Sequence, residues 1–380
     1  MSEVNKSLKI LMTHPFSWPY VRRGSERFLH EMSHYLAARG HDVTVLTSTP
    51  QREEEICRKE RLVTIWKPQL AGAARLIAPE KSFPLRCLPF MLENRFDATH
   101  CLYFWDGVAA GLARMLKGER YVAHVTGIPI KRFFLRRPWD LAALRFSFSH
   151  ATEVVVPSQL ALDYLGQQFG YRGTLLHPPC DMHRFPVSCE RDLDRPRILS
   201  VGAFGERRKG ARVLLQAFHL LKKQVPNAVL QYLGDMPDAV RAELSAASSP
   251  DVLKDVEFLG KGKIEDLPVR YGGAAVTVLA SLLDVFGMVL VESLACGTPV
   301  VATRHGALPE IVEPGVGTLF DPGDTDVEAT NVNGLCQAIV EALHLHEDSQ
   351  LPHRCRTRAE FYSWDVLGPQ YEAMYRRLMA

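Results

Sequence analysis

The chain has 380 residues, a length that predicts two domains at roughly 100–200 residues each. Hydrophobic residues make up 47% and charged residues 23%, and the net charge of +2 gives no indication of a nucleic-acid partner. The eight cysteines form no CxxC pair, which favours reduced thiols over a disulfide framework or a zinc site. The apolar run near the N-terminus is too short for a signal peptide, and no run of about 18 apolar residues indicates a membrane span. We therefore expect a cytoplasmic protein.

The first half of the chain alternates predicted strands and helices. An apolar run at 8–14 precedes a helical pattern at 25–39, and a second strand pattern follows at 41–48. Strand, helix and strand within 40 residues form a βαβ unit, which requires parallel pairing. Further apolar strands are predicted at 61–67, 98–104, 120–125 and 152–158.

A stretch rich in proline and charge, 178–197, interrupts this alternation and is interpreted as a linker. The alternation then restarts, with helices predicted at about 210–223 and 237–247. The strands of this half are predicted at 197–204, 228–235, 256–260, 275–281 and 298–303. The pattern therefore predicts two doubly wound α/β halves, followed by a C-terminal amphipathic helix.

The stretch LLDVFGMVLVESLACGTPVVATRHGALPEIV, at 282–312, predicts a ligand site in the second half. A helix is expected from Met288 to Cys296, preceded by Gly287, which lets a ligand approach the backbone. The N–H groups of its first turn and the helix dipole favour an anion. The helix follows a strand, and open α/β sheets bind ligands at the carboxyl ends of their strands.

Two carboxylates flank this predicted anion site, Asp284 before the helix and Glu292 within it. Carboxylates repel a phosphate, so their useful partners are hydroxyl groups. A nucleoside diphosphate sugar has a central diphosphate with hydroxyls at both ends, which fits Glu292 on the ribose and Asp284 on the sugar. The alternative is that Asp284 caps a helix and Glu292 lies on a solvated helix face.

Several segments together resemble the retaining GT-B glycosyltransferases of family 4. The usual signature has Glu, seven residues and Glu, with Phe-Gly inside and Ala-x-Gly-x-Pro-Val-Val after it, as in 284–301 here. The similarity extends to RRGSERFLHEMSHYLAARGHDVTVLTS, PPCDMHRF, ILSVGAFGERRKGARVLLQAF and FYSWDVLGPQY, whereas 50–95 matches poorly.

The resemblance implies two Rossmann-like doubly wound domains facing across a cleft. It implies an acceptor-side domain at 1–185, with the C-terminal helix 365–380 packing back on it, and a donor domain at 196–364. It also implies retained anomeric configuration, no metal and no tightly bound cofactor. The donor substrate would be UDP-, GDP- or dTDP-linked, and the acceptor would carry a hydroxyl on a glycan, a lipid-linked molecule or a small molecule.

The resemblance also implies roles for individual residues. Glu292 corresponds to the ribose-binding Glu, Asp284 to the Glu facing the donor sugar, and Lys209 to the lysine that neutralises the diphosphate. Gly24 corresponds to the glycine loop over the reacting centre. The residues that would offer backbone to the phosphates are Phe286, Gly287, Met288 and Val289.

Three positions depart from the family pattern. Asp284 is shorter than the usual Glu by one methylene. Ala203 stands where an Arg is frequent, so Arg207 or Arg208 would supply that charge. Thr126 stands where many members have His, and strand alternation would place His124 on the same face as Thr126, which makes His124 a candidate catalytic residue.

The expected chemistry needs cations and N–H dipoles around the leaving diphosphate. Lys209 and Arg208 suit that role, although an isolated loop lysine is usually solvated. Gly24 is equally consistent with a plain turn, whereas for His124 a packed or surface histidine is the more common case. Retention needs no enzyme nucleophile if the departing phosphate oxygen takes the proton of the acceptor.

Three further readings stay open from the sequence. The protein could bind a nucleotide sugar without catalysis, or act as a nucleotide-sugar epimerase. A dinucleotide oxidoreductase is disfavoured because no GxGxxG follows the first strand. The segment KRFFLRRPWDLAALRF, at 131–146, interleaves basic and aromatic residues, which fits either peripheral contact with the inner face of a membrane or a solvated surface helix.

Overall fold

The computed structural model describes residues 7–18, 21, 24–47, 56–57, 60–64, 79–188, 190–324 and 327–379. The chain divides into two compact units, one of Met1–Pro178 with Leu367–Ala380 and one of Pro179–Val366. Each unit is built around its own sheet, as expected for two Rossmann-like domains.

The first unit contains an eight-stranded sheet in the order β3-β4-β2-β1-β5-β6-β7-β8. All neighbouring strands are parallel except the β3–β4 pair at one edge, which is antiparallel. The strands are β1 (Lys9–Thr13), β2 (Asp42–Thr47), β3 (Ile56–Cys57), β4 (Glu60–Thr64), β5 (Ala98–Cys101), β6 (Tyr121–His124), β7 (Glu153–Val156) and β8 (Thr174–Leu175).

Helices connect these strands because parallel neighbours need crossovers. They are α1 (Gly24–Ala38), α2 (Pro79–Glu93), α3 (Asp106–Lys117), α4 (Lys131–Phe134), α5 (Pro138–His150) and α6 (Gln159–Phe169). In α1 the predicted apolar face is buried, including Phe28, Met32 and Leu36. The expectation for Thr126 is wrong, because β6 ends at His124 and the alternation does not extend past it: His124 is buried and Thr126 is exposed.

The second unit contains a six-stranded sheet in the order β11-β10-β9-β12-β13-β14, with every neighbouring pair parallel. Three of its strands, β10, β12 and β13, are wholly buried, as the apolar runs predict, whereas the edge strand β11 is partly exposed. They are β9 (Arg197–Val201), β10 (Val229–Leu233), β11 (Val256–Gly260), β12 (Val276–Leu279), β13 (Val300–Thr303) and β14 (Gly317–Phe320).

The helices after Pro179 cover this second sheet, and α14 continues into the first unit. They are α7 (Ala211–Gln224), α8 (Asp238–Ala246), α9 (Pro250–Leu253), α10 (Leu267–Gly272), α11 (Met288–Ala295), α12 (Val332–His344), α13 (Leu351–Glu360) and α14 (Trp364–Met379). From Leu367 onward α14 packs on the first unit, where Glu372 accepts hydrogen bonds from Tyr35 and Arg39. In the part of the chain that the structure describes, no helix is long and apolar enough to cross a bilayer.

Candidate functional site

The loop between β12 and α11 ends at a glycine that the fold requires. Gly287 has φ of +104°, which a side chain rarely tolerates, and a Cβ there would lie 2.6 Å from the Leu308 side chain. Leu308 therefore fills the space that we expected a ligand to use at this residue. The N–H groups of Met288 and Val289 begin the helix and have no hydrogen-bond partner among the described residues. They remain available for an anion at the helix start.

Phe286 contributes to this loop through its packing. Its ring is buried against Tyr362, with the ring centres 5.2 Å apart and the planes at 75°. The side chain thus anchors the loop to the turn before α14, and only the backbone of Phe286 could face a ligand.

The carboxylate of Asp284 lies beside two cations from the turn that follows β9. Lys209 Nζ donates to Asp284 Oδ1 at 2.8 Å, and Arg208 Nη1 lies 3.8 Å from the same oxygen. The other oxygen, Oδ2, is buried and has no hydrogen-bond partner among the described residues. A buried carboxylate oxygen without a donor is costly, so this oxygen is a candidate acceptor for a hydrogen bond from a ligand.

The turn that carries the two cations is fixed by the backbone. Gly210 has φ of +71°, and a Cβ there would lie 2.1 Å from the carbonyl oxygen of Ala280. The Leu282 N–H donates to the carbonyl of Arg208 at 2.8 Å. The sequence therefore needs glycine directly after Lys209, because only then does the turn come close enough to the end of β12.

The backbone around Asp284 is equally constrained. Leu283 has φ of +57°, the one left-handed non-glycine residue in the described part of the chain. Such a conformation costs about 1–3 kcal/mol and is found mainly at functional sites. Gly306 packs against the Asp284 backbone, and the Ala307 N–H donates to the Asp284 carbonyl at 3.1 Å. The loop after β13 thus holds Asp284 in place.

Glu292 lies in α11 and is only 3% exposed. Its Oε2 accepts a hydrogen bond from the hydroxyl of Tyr271 at 2.7 Å. The alternative that Glu292 lies on a solvated face is therefore wrong, because α11 is buried on this side as well. Asp284 does not cap the helix either, since the N-cap is Gly287 and makes no side-chain cap.

Gly24 and His124 belong to the first unit. Gly24 begins α1, and a Cβ there would meet nothing within 4 Å, so packing does not demand glycine. Because His124 is buried beneath Phe28 and Tyr371, with ring centres 4.9 and 6.5 Å away, the structure favours the packed histidine.

His124 also ends a buried hydrogen-bonded chain. Its Nδ1 lies 3.0 Å from His100 Nε2, and His100 Nδ1 lies 2.6 Å from the hydroxyl of Tyr375. Burial lowers the pKa of His124 from 6.5 to about 3, and burial followed by the neighbouring His124 lowers the pKa of His100. Both rings are therefore neutral at pH 7. With Tyr375 donating to His100, His124 keeps its proton on Nε2.

The structure thus brings Lys209, Arg208 and Asp284 together just ahead of the helix that holds Glu292. Arg207 lies apart, 3.8 Å from Glu328, which leaves Arg208 as the second cation at Asp284. The sequence interpretation missed the partners of these groups. Gly306 could have been found as a glycine closely following a predicted strand, whereas nothing local to Tyr271 or His100 marks them. Among the described residues, no group of three or more His, Cys, Asp or Glu side chains could hold a metal ion.

Two family models match the chain and together span residues 22–356. One is described as Glycosyltransferase Family 4 and matches residues 22–184. The other is described as Glycosyl transferases group 1 and matches residues 183–356.

Curated relatives match over most of the chain. The GDP-mannose-dependent alpha-(1-6)-phosphatidylinositol monomannoside mannosyltransferase of Mycolicibacterium smegmatis is 28% identical over 86% of this chain and 88% of its own. The D-inositol 3-phosphate glycosyltransferase of Corynebacterium urealyticum is 29% identical over 74% of this chain and 72% of its own. Both are named as transferases of a sugar.

Solved structures share the fold. Sucrose-phosphate synthase from Thermosynechococcus elongatus has a TM-score of 0.81 at 22% identity, covering 97% of this chain and 98% of its own. Anabaena HepE, solved with UDP and glucose, has a TM-score of 0.73 at 18% identity, covering 97% of this chain and 99% of its own. With the family models and the two parallel-sheet units, these matches confirm the expected fold class and enzyme class. The chain belongs to the family 4 glycosyltransferases of the GT-B fold.

Proposed function

We propose that this glycosyltransferase takes its sugar from a nucleoside diphosphate sugar and transfers it with retention of configuration. The observation that carries the proposal is the pairing of Asp284 Oδ1 with Lys209 while Asp284 Oδ2 is buried without a donor. A sugar hydroxyl bound to Oδ2 supplies the missing hydrogen bond. Lys209, which donates to Oδ1, and the neighbouring Arg208 then face the same ligand.

The diphosphate is proposed to lie between the two cations and the start of α11. Lys209 and Arg208 are 17% and 34% exposed, so a ligand reaches both side chains. Two carboxylates lie beside them: Asp284 accepts from Lys209, and Glu206 Oε2 accepts from Arg208 Nε at 2.7 Å. The phosphate therefore competes with both carboxylates for the two cations. The N–H groups of Met288 and Val289 add dipoles aimed at the same charge.

The ribose is proposed to bind Glu292. Tyr271 holds one carboxylate oxygen from the buried side, so the side chain is already oriented before a nucleotide arrives. A fixed acceptor binds a hydroxyl at lower entropic cost than a mobile one. In this proposal the second unit binds the donor, and the first unit, with Gly24, serves the acceptor.

The transfer step breaks the bond between the anomeric carbon and the phosphate oxygen and forms a bond to the acceptor oxygen on the same face. The departing phosphate oxygen takes the proton of the acceptor hydroxyl, so no enzyme nucleophile takes part. Lys209 and Arg208 stabilise the negative charge that develops on the leaving diphosphate. Asp284 holds Lys209 and the sugar in one geometry.

The names of similar proteins support this class of donor. The mycobacterial relative is named as GDP-mannose-dependent, and HepE was solved with UDP-glucose as well as with UDP and glucose. The names thus support UDP- and GDP-linked donors. A thermal-shift screen of UDP-, GDP- and dTDP-linked sugars ranks them, because a ligand that binds the native state raises Tm.

The experiment that tests the proposal is donor turnover by Asp284→Asn. We expect cleavage of the preferred donor to fall about 10²- to 10³-fold, because the carboxylate no longer holds Lys209 against the leaving group. Proton NMR of the sugar, recorded before mutarotation, should show the anomeric configuration of the donor.

The matched control is Asp255→Asn. Asp255 accepts from Lys222 at 2.8 Å with side-chain exposures of 17% and 13%, close to the 17% and 17% of Asp284 and Lys209. It should lower stability but leave turnover within about twofold. Equal loss in both variants, an inverted product, bound nucleotide without turnover, or an epimerised donor would each refute the proposal.

A further inference from the structure

The segment 131–146 exposes large apolar side chains beside basic ones. Phe133, Leu135 and Trp139 are 52%, 67% and 78% exposed. The neighbouring basic side chains are also exposed: Lys131 and Arg132 precede Phe133, and Arg136 and Arg137 follow Leu135. We call these seven residues the basic-aromatic surface.

This exposure is built into the fold. Phe134 points inward between Phe104 and Phe169, with ring centres 6.0 and 6.2 Å away. The Lys131 N–H donates to Gln168 Oε1 at 2.6 Å, which ties the start of the segment to α6. The side chains on either side of Phe134 consequently face solvent.

The far end of the segment is anchored as firmly. Asp140 is buried, accepts from the Trp105 indole at 3.1 Å and lies 3.1 Å from Lys81 Nζ. Because the Asp140 side chain points into the protein, the side chain of its neighbour Trp139 points into solvent. The fold therefore presents the large indole to solvent from a fixed backbone.

The charge of the surface is of one sign. Asp140 is the only acidic residue in 131–146, and it is buried and paired with Lys81. The exposed Lys131, Arg132, Arg136 and Arg137 therefore give this surface a positive charge, while the whole chain has a net charge of only +2. The basic-aromatic surface therefore combines exposed positive charge with exposed apolar side chains.

We infer that the basic-aromatic surface docks the first unit on an anionic lipid bilayer. Basic side chains are drawn to anionic headgroups, while Trp and Phe insert at the boundary with the acyl chains. The exposed Leu135 favours a lipid over a nucleic acid as the ligand, because an aliphatic side chain cannot stack on a base. This inference is independent of the proposed donor chemistry.

The test is co-sedimentation of the full chain with vesicles, in the absence of donor and acceptor. We expect binding to vesicles of phosphatidylglycerol and phosphatidylcholine, loss of that binding in about 0.5 M salt, and no binding to pure phosphatidylcholine. The fluorescence of Trp139, taken as the difference between wild type and Trp139→Phe, should shift to the blue on binding.

Two variants locate the surface. Arg136→Glu with Arg137→Glu should weaken vesicle binding at least tenfold, since each basic residue contributes about fivefold near an anionic surface. Leu135→Ser with Trp139→Ser should weaken it several-fold. Leu116→Ser is the matched control, because Leu116 is also 67% exposed and lies in the same unit. It should bind vesicles like wild type.

The inference is overturned by wild type that stays in the supernatant, by equal binding to neutral vesicles, or by variants that bind like wild type. It is also overturned if sedimentation shows a dimer that Trp139→Ser separates, or if an oligonucleotide displaces the vesicles. Donor cleavage in solution should be unchanged in every surface variant, so failure here is separable from failure of the proposed donor site.

Discussion

Asp284 and Lys209 form one of two closely matched ion pairs in the second unit. The other pair, Lys222–Asp255, has the same 2.8 Å distance, and Lys222 also donates to the carbonyl of Ala228. That second pair joins α7 to the residue before β11. Among the described residues, it leaves no buried carboxylate oxygen without a hydrogen-bond partner. The chemical difference between the pairs is thus the orphaned Oδ2 of Asp284, rather than distance or exposure.

Tyr271→Phe tests the support of Glu292. Removal of the hydroxyl leaves Glu292 Oε2 buried without this donor, so we expect a stability loss of about 1–3 kcal/mol and weaker nucleotide binding with little change in kcat. Isothermal titration with the preferred nucleotide and denaturant unfolding measure the two effects. Tyr121→Phe is the control, because its buried hydroxyl donates to the Ser147 carbonyl in the first unit. Equal nucleotide affinity in both variants would refute the role of Tyr271.

At the level of elements, hydrophobic periodicity predicted most strands of each sheet and some of the helices, but not the strands β8 and β14 or the helices α3, α6 and α12. The helix at 25–39 is found at Gly24–Ala38, and the helix expected from Met288 to Cys296 ends one residue earlier. Helix α2 was not predicted, because it contains Pro84 and Pro89, which ordinarily end a helix.

The site was predictable in its parts and not in its contacts. The motif marks Asp284, and the loop after β9 marks Lys209, but 75 residues separate them and only the fold shows their contact. The burial of Glu292 was also beyond prediction, since Tyr271 lies on a different helix. A local sequence pattern shows which residue types are present. Which buried polar atoms have hydrogen-bond partners depends on the tertiary packing.

Gly287→Ala tests the start of α11. The substitution adds a side chain at φ of +104° and places its Cβ only 2.6 Å from the Leu308 side chain, which must then move. We therefore expect both destabilisation and loss of nucleotide affinity. Gly118→Ala is the control, because Gly118 ends α3 at φ of +74° with nothing within 4 Å of a new Cβ. The control should lose about 1–2 kcal/mol from backbone strain alone and keep its affinity. A Gly287→Ala variant as stable as the control would contradict the packing argument.

At the level of the whole molecule, each unit has its own buried polar groups as well as its own sheet. In the first unit these include the chain of Tyr375, His100 and His124, which joins α14 to β5 and β6. The aromatic rings beside it are Phe28 and Tyr371, and among the described residues no carboxylate compensates a charge on either histidine. The packing of α14 on the first unit therefore depends on two rings that stay neutral.

This arrangement predicts that the protein loses stability in mild acid. The pKa of His124 is about 3 in the folded protein against 6.5 in an unfolded chain, so the unfolded state binds more protons between these values. Stability from the neutral ring is fully present above pH 6.5 and is lost as the pH falls toward 3. From pH 7.5 to 5.5 we expect a loss of about 1.4 kcal/mol from His124, with a further loss from His100, whose pKa burial also lowers. Urea unfolding at the two pH values measures it. His124→Gln should remove about 1.4 kcal/mol of the difference in unfolding free energy between the two pH values. The control His34→Gln, at an exposed histidine, should preserve that difference. A difference that is unchanged in His124→Gln would show that this ring is charged in the native state or that other groups govern acid unfolding.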